Sequence, residues 1–218
     1  DKEVSAMANK IDLHTHTTAS DGTLTPTELV AHARELGLSA VAITDHDTMN
    51  GVAEAQTAGE RLGVEVIPGM EISTDYRGED THVLGYGMDI NAPALREVLD
   101  WVIEDRRRRN EKIAERMRRD GIDVSLEELE AQNPGATIGR PHFARVLVAQ
   151  GIAGSVPDAF ARFLSTGKQY YLPRAYIPMK DAVKVIRTCG GTAFLAHPLQ
   201  YGYSEDELHT LVRSAAEV

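Results

Sequence analysis

Apolar and polar positions along the N-terminal part of the chain alternate between two periodicities, one typical of strands and one of helices. Apolar or alternating runs predict strands at 11–14, 40–44, 64–67 and 82–86. Between the first two strands, Thr25 and Glu28 form the signature of a helix start, and Gly37 follows the last periodic position. A second helical segment, about residues 50–62, ends at Gly63. This alternation predicts an α/β fold built on a parallel sheet.

A long helical region interrupts the alternation. Leucine and valine side chains recur at helical spacing within residues 92–120, and further helical segments follow near 141–150 and 157–164. We therefore expect a helical insertion at residues 91–176.

The strand and helix pattern returns after this insertion. A helix is predicted at 180–188, a fifth strand at 192–196 and a capped helix from Ser204 onward. Residues 10–90 and 177–218 are therefore expected to form one α/β unit around the insertion.

The composition narrows the class of protein. Of the 218 residues, 42% are hydrophobic and 26% are charged, which is typical of a folded globular domain. No segment approaches the ~20 apolar residues that a membrane span requires, and the polar leader at residues 1–9 does not resemble a signal peptide. The single cysteine, Cys189, fits a reducing compartment. We therefore expect a cytoplasmic protein without a membrane partner.

The charge balance limits the partners further. A net charge of −10 disfavours duplex DNA, whose phosphates repel an acidic protein. A small phosphorylated substrate stays compatible if metal ions supply positive charge at the site. The sequence does not indicate an oligomeric state.

Metal-binding residue types collect at or just after the predicted strands. They are His14, His16, Asp21, His46, Glu71, His82 and His197. Because the carboxyl ends of parallel strands meet at one rim, we expect these side chains to converge there. Each residue has an ordinary explanation on its own, such as a turn or a solvated charge, but one metal centre explains all of them together.

The ligand types favour particular metals. Histidine and carboxylate without thiolate suit Mn²⁺, Zn²⁺ or Fe²⁺, and manganese is our first choice. Seven candidates are too many for one ion, so we expect two or three ions, with Glu71 or a hydroxide bridging them. Such a centre activates water and binds phosphoryl oxygens. Asp45 precedes His46 and is expected to orient the metal ligands without binding a metal ion itself.

Together these motifs resemble those of the polymerase-and-histidinol-phosphatase (PHP) family of metal-dependent phosphoesterases. The motifs are His14-Thr15-His16, Thr44-Asp45-His46-Asp47, Gly69-Met70-Glu71-Ile72-Ser73, His82 and Ala196-His197-Pro198. The resemblance implies a distorted (β/α)7, TIM-like barrel with a trinuclear metal site. It places all seven candidates at ligand positions, with a metal-bridging hydroxide as the expected nucleophile.

The insertion resembles one branch of that family. Ile138 to His142 and Gly167-Lys168 are similar to the branch that removes the 3′-phosphate from nucleoside 3′,5′-bisphosphates, which is also associated with 5′→3′ trimming of short RNA. We expect substrate contacts from Arg140, His142, Lys168 and Arg174. Arg140 stands at a predicted helix start, and its planar guanidinium suits phosphate oxygens.

The basic run at residues 106–109 is expected to play no such part. Four consecutive helical residues point around most of the circumference, so we interpret this run as an exposed, salt-bridged helix surface.

The sequence departs from the family pattern near its end. The family supplies two more ligands, an Asp and a His, in a Gly-Ser-Asp-x-His-like stretch, which is absent here. Five predicted strands are also too few to close such a barrel. We therefore expect the natural protein to continue past Val218 by roughly two βα units, about 60 residues.

Three functions remain open from the sequence. The first is a phosphoric monoester hydrolase acting on a small nucleotide and on short single-stranded RNA. The second is hydrolysis of a C–N bond at the same kind of centre, as in amidohydrolases. The third is a non-catalytic metal-binding structural module, which would be expected to have lost ligands. The cationic residues of the insertion favour the first function.

Overall fold

The computed structural model describes residues 10–173 and 175–218. The leader predicted for residues 1–9 and the substrate contact predicted for Arg174 lie outside the described residues. Within the described ranges, six strands form one sheet with the order β1-β2-β3-β4-β6, and β5 pairs with β3. The strands are β1 (Lys10–Thr15), β2 (Leu38–Ile43), β3 (Glu65–Tyr76), β4 (Glu79–Tyr86), β5 (Ile177–Pro178) and β6 (Thr192–Leu195).

The helices flank this sheet and fill the insertion. They are α1 (Pro26–Glu35), α2 (Val52–Leu62), α3 (Pro93–Arg119), α4 (Leu126–Gln132), α5 (Arg140–Ala149), α6 (Val156–Ala159), α7 (Met179–Thr188) and α8 (Glu205–Ala216). The capping boxes predicted at Thr25 and Ser204 are confirmed, and Gly63 ends α2 with a φ of 69°. No described helix is both long enough and apolar enough to cross a membrane.

The third and fourth strands correct the prediction of an all-parallel sheet. β1, β2 and β3 are parallel, but β4 runs antiparallel to β3 along its whole length. Only Arg77 and Gly78 separate the two strands, with φ values of 57° and 86°. Two successive residues of positive φ form the tight turn that suits a β-hairpin, whereas a parallel connection needs a crossover of a dozen or more residues.

The sheet curls into a half-barrel with β1 and β6 at the ends of its order. Among the described strands, β1 pairs with β2 and β6 pairs with β4. Both end strands expose apolar side chains, and Phe194 on β6 is 53% exposed. The mixed α/β class is confirmed, whereas the closed seven-stranded barrel and the continuation past Val218 stay predictions.

The described part of the chain holds three hydrophobic clusters. Val30, Val41 and Ala55 belong to the cluster that packs α1 and α2 against β2. A second cluster lies between β3, β4 and α7. The third cluster lies entirely within residues 113–172 and holds the insertion helices together. The long helix α3 joins the last two, because Leu95 belongs to the sheet cluster and Ile113 to the insertion cluster.

His142 fixes the start of α5 instead of projecting from it. The side chain is 3% exposed, and its Nδ1 accepts a hydrogen bond of 3.1 Å from the backbone N–H of Gly139. Burial lowers the pKa of His142 to about 4, so the ring is neutral near pH 7. A neutral ring can accept at Nδ1, and this explains how a histidine occupies the place usually taken by Glu or Gln in a capping box.

We predict that His142 makes stability depend on pH. Its pKa is near 6.5 in the unfolded chain and about 4 in the folded one, so protonation favours unfolding as pH falls through this window. Exchange for glutamine, His142→Gln, keeps a capping side chain without a titrating group. Between pH 6.5 and 4, the variant should therefore lose less stability than the wild type, by up to about 3 kcal/mol.

Urea unfolding at several pH values measures this effect. His32→Gln, which removes an exposed histidine on α1, is the matched control. Equal slopes for the wild type and His142→Gln would contradict the prediction.

Candidate metal centre and adjoining pocket

The carboxylate of Glu71 lies at the centre of a histidine cluster. Glu71 is an inner residue of β3, not a residue after its end as the sequence suggested, and it is 1% exposed. Its Oε2 lies 3.0 Å from Nε2 of His14 and 3.0 Å from Nε2 of His16. Its Oε1 lies 2.9 Å from Nδ1 of His82 and 2.9 Å from Nε2 of His197. One buried side chain therefore contacts histidines from three parts of the chain.

Three strands of the sheet, β1, β4 and β6, bring these histidines to Glu71. His14 lies in β1 and His16 follows it directly, so the two alternate to the same side. His82 lies within β4, opposite Ser73 of β3. His197 lies just after β6 and has a φ of 27°. The N–H of Ala196, the residue before it, donates to the His82 carbonyl and holds this turn against β4.

Asp21 and His46 complete a second part of the cluster. Asp21 lies 3.7 Å from Nδ1 of His16 through Oδ1 and 3.7 Å from Nε2 of His46 through Oδ2. Nδ1 of His46 lies 3.5 Å from Oε2 of Glu71. All seven residues predicted as ligands therefore converge. In the described residues, three overlapping groups can each hold an ion: His14, His16, Glu71; His16, Asp21, His46; and His46, Glu71, His82.

The geometry of these groups fits divalent metal ions. Two ligand atoms at about 2.1 Å from one ion lie about 3.0–3.4 Å apart, close to the separations found here. The 3.7 Å separations around Asp21 are too long for hydrogen bonds. Buried ring nitrogens also lack hydrogen-bond partners among the described residues, namely Nδ1 of His16, His46 and His197. Buried polar atoms normally have partners, and bound metal ions would complete the pairing of this cluster.

The protonation states of Glu71 and His46 suit metal binding. Burial by itself would raise the pKa of Glu71, but hydrogen bonds from four histidines outweigh it and hold that pKa well below its usual range. Burial lowers the pKa of His46 to about 4, so its ring is neutral, as a metal ligand must be. For His82, burial lowers the pKa, but Asp80 and Glu71 outweigh it and raise the value to about 9.

Asp45 supports the site through the loop that carries the ligands. Its buried carboxylate accepts hydrogen bonds from Thr17 N–H at 2.7 Å, from Thr17 Oγ1 at 2.7 Å and from Ser20 Oγ at 2.5 Å. These contacts fix the loop between His16 and Asp21. Asp45 thus holds the backbone of two candidate ligands.

A buried ion pair, which the sequence did not predict, stabilises another part of the cluster. Asp47, with a φ of 53°, accepts hydrogen bonds from Ser73 N–H at 2.8 Å and from the Arg106 guanidinium. Its own N–H donates to the Glu71 carbonyl at 3.0 Å. The residue after His46 is thereby fastened to the strand that carries Glu71.

A cavity of about 190 Å³ opens beside the histidines. Its charged and titratable lining consists of Asp21, His46, Asp80, His82, Arg106, Arg109 and Arg140. Positive side chains therefore face the space next to the candidate metal ligands. This arrangement suits a small anionic group, because guanidinium donors match the oxygens of phosphate.

The arginine run on α3 corrects the expectation of an exposed, salt-bridged surface. Arg106 is 8% exposed and Arg109 is 6% exposed, while Arg107 and Arg108 carry surface ion pairs as expected. Residues three apart share a helix face, so two of the four turn inward. The signal was present in the sequence, since buried Val102 and Ile113 continue the same face.

The predicted substrate residues have different surroundings. Arg140 lines the cavity, with Nη2 3.1 Å from Oδ2 of Asp80 and its guanidinium over the Tyr171 ring. Within the described part of the chain, neither His142 nor Lys168 lines this cavity, and Lys168 is exposed.

Comparisons with known proteins bear on the family and the fold of the chain. The family model described as PHP domain matches residues 12–174. The chain is 42% identical over 208 residues to the 5′-3′ exoribonuclease Rnm of Escherichia coli K12, covering 94% of this chain and 71% of the relative. It is 35% identical over 208 residues to the 3′,5′-nucleoside bisphosphate phosphatase of Chromobacterium violaceum, covering 94% and 72%.

A solved structure shares the fold. An amidohydrolase from Chromobacterium violaceum, with bound sulfate and no metal, superposes with a TM-score of 0.89 at 33% identity. The match covers 96% of this chain and 74% of the other.

We predict that Glu71→Gln weakens metal binding. Glutamine keeps the size of the side chain but removes the charge that faces the histidines. Loss of a direct ligand should cost at least the ~10–100-fold in affinity that supporting residues cost. Titration of the metal-free protein with Mn²⁺, together with elemental analysis, measures the change. Glu65→Gln, at an exposed position of the same strand, is the control, and equal Mn²⁺ affinity in both variants would contradict the prediction.

Proposed function

The chain belongs to the PHP domain family, as its motifs predicted, and we propose that it is a metal-dependent phosphomonoesterase. We assign as substrate a nucleoside 3′,5′-bisphosphate, with release of its 3′-phosphate to leave a nucleoside 5′-monophosphate. The observation that carries the proposal is the cavity in which arginines face the histidine cluster. Anion-binding and metal-binding side chains thus share one small space.

The seven clustered residues would hold two or three divalent ions, with manganese as our first choice and zinc or iron as alternatives. When bound, such ions polarise the phosphoryl group and lower the pKa of water. Glu71 supplies a buried negative charge at the centre of the histidines. Asp45 and Asp47 keep the ligand-bearing loops in place through the hydrogen bonds described above.

The arginines would bind and orient the substrate. Arg106 and Arg109 are buried, so their hydrogen bonds to phosphate form where water competes little. Arg140 reaches the same cavity from α5. Cationic side chains from two different helices would therefore contact the two phosphate groups of one substrate. The phosphate that is cleaved would also lie against the histidine cluster.

The insertion at residues 91–176 would supply this recognition. The cavity-lining arginines of α3 and α5 both belong to it, whereas the candidate metal ligands belong to residues 10–90 and 177–218. A relative named as an exoribonuclease supports a second use, the trimming of short single-stranded RNA, in which the bond cleaved is a phosphodiester instead of a phosphomonoester. The net charge of −10 still disfavours duplex DNA.

C–N bond hydrolysis is a second candidate function, because the solved structure with a TM-score of 0.89 is that of an amidohydrolase. The scissile amide group itself carries no charge that would need buried guanidinium groups beside the metal ligands. The arginine lining therefore favours the phosphoester. A non-catalytic structural role is disfavoured, since the family ligand positions present in this chain are filled.

Phosphate release from adenosine 3′,5′-bisphosphate, with Mn²⁺ added to the purified protein, tests the proposed function. We expect release of one phosphate and formation of adenosine 5′-monophosphate, both abolished by a chelator and restored by Mn²⁺. p-Nitrophenyl phosphate serves as a generic phosphoester and an N-acylated amino acid as an amide. Turnover of the amide with no phosphate release from either phosphoester would overturn the proposal.

We predict that Arg140→Ala raises KM for the bisphosphate by about 10- to 100-fold, the loss expected for a hydrogen bond to a charged group. The kcat for p-nitrophenyl phosphate should change little, because that substrate lacks the second phosphate. Steady-state kinetics on both substrates measures the split. Arg108→Ala, at an exposed arginine of α3, is the control. Equal losses on the two substrates would give Arg140 a structural or direct chemical role.

A further inference from the structure

Asp80 lies between the candidate metal centre and the arginine that faces the cavity. Its Oδ1 is 3.3 Å from Nε2 of His82, and its Oδ2 is 3.1 Å from Nη2 of Arg140. The two partners use different oxygen atoms, so both contacts exist at the same time. One carboxylate therefore touches a candidate ligand on the sheet and a candidate substrate residue on the insertion.

The hairpin geometry explains why Asp80 reaches His82. Asp80 and His82 are two residues apart in β4, so their side chains point to the same face of the strand. Thr81 between them is fully buried on the opposite face, where the Thr74 hydroxyl donates to its carbonyl. The antiparallel strand β4 thereby carries both the candidate ligand His82 and Asp80.

The two nitrogens of His82 face different groups. Nδ1 lies 2.9 Å from Oε1 of Glu71 and 3.2 Å from Nε2 of His197, inside the cluster. Nε2 points away from the cluster, toward Asp80. A histidine that binds a metal through one nitrogen usually donates the N–H of the other to a carboxylate, which sets the tautomer and the ring orientation. Oδ1 of Asp80, which has no hydrogen-bond partner among the described residues, lies 3.3 Å from Nε2 and would accept this N–H when Nδ1 binds an ion.

The second oxygen of Asp80 acts on the insertion. Arg140 is the first residue of α5, and its long side chain reaches the cavity wall that also includes Asp80 and His82. An ion pair of this kind restricts the rotamers of a long side chain before any substrate arrives. Preorganisation of a binding group reduces the entropy lost on binding.

We propose that Asp80 is a positioning residue that holds His82 toward the metal ions and Arg140 toward the substrate phosphate. The His82 contact concerns metal binding alone, whereas the Arg140 contact rests on the proposed function. Asp80 belongs to none of the three groups of candidate ligands found in the described residues, so it acts through other side chains.

Asp80→Asn tests the first contact without any substrate. Asparagine has the same shape but no charge, and its amide can donate to Nε2 and reverse the tautomer of His82. Titration of the metal-free variant with Mn²⁺ should show about 10–100-fold weaker binding at one site. Glu79→Gln, at the exposed neighbouring position of β4, should bind Mn²⁺ like the wild type. A lower melting temperature of metal-free Asp80→Asn with unchanged Mn²⁺ affinity would mean a purely structural role and would overturn the proposal.

Kinetics at saturating Mn²⁺ test the second contact. Asp80→Asn should raise KM for adenosine 3′,5′-bisphosphate about fivefold, the loss expected of a partly exposed ion pair. The double variant Asp80→Asn/Arg140→Ala should have the KM of Arg140→Ala alone, because Asp80 acts on KM through Arg140. Additive effects on KM would overturn this part of the proposal.

The two experiments also separate this proposal from the proposed function. If the wild type released no phosphate from the bisphosphate, the proposed function would fail, but the Mn²⁺ titration would still decide the role of Asp80 toward His82. If the wild type were active and Asp80→Asn changed neither Mn²⁺ affinity nor KM, the positioning role would fail and the proposed function would stand.

Discussion

A buried carboxylate must be paired, and Glu71 is the residue through which this constraint shapes the protein. Its two oxygens lie within hydrogen-bonding distance of histidines that come from β1, β4 and the turns after β1 and β6. Removal of the partners of a buried charge costs about 3–5 kcal/mol. The strands that carry the histidines are therefore held in register by the same group that centres the candidate metal site. Metal binding and the alignment of the sheet depend on one side chain.

The insertion is joined to this centre by charge as well as by packing. Arg106 of α3 pairs with Asp47, the residue after His46, and Arg140 of α5 pairs with Asp80, two residues before His82. Each ion pair links a helix of the insertion to a strand or loop that carries a candidate ligand. Three guanidinium groups therefore line the cavity, together with Asp21 and Asp80, in a chain whose net charge is −10. A local field of this kind favours a small anion, while the acidic exterior disfavours extended nucleic acid.

Much of the site was predictable because its residues lie in short motifs with local rules. His14 and His16 alternate at a strand end, and helix starts such as Thr25 carry their own capping signals. The arginine run shows where this reasoning fails. Helical spacing places Arg106 and Arg109 on the inner face, but a sequence window cannot show the partner that permits burial of Arg106, because Asp47 is 59 residues away. The role of Asp80 was missed for the same reason, since Arg140 is 60 residues distant.

By itself, the sequence determined the α/β class, the helical character of the insertion and the identity of the seven candidate ligands, because periodicity and residue chemistry act over a few positions. Only the tertiary structure decided that β4 is reversed, that Glu71 is the common partner of the histidines, and that His142 caps a helix. These features depend on which distant groups meet in the folded chain, and on the rule that buried polar groups must find partners there.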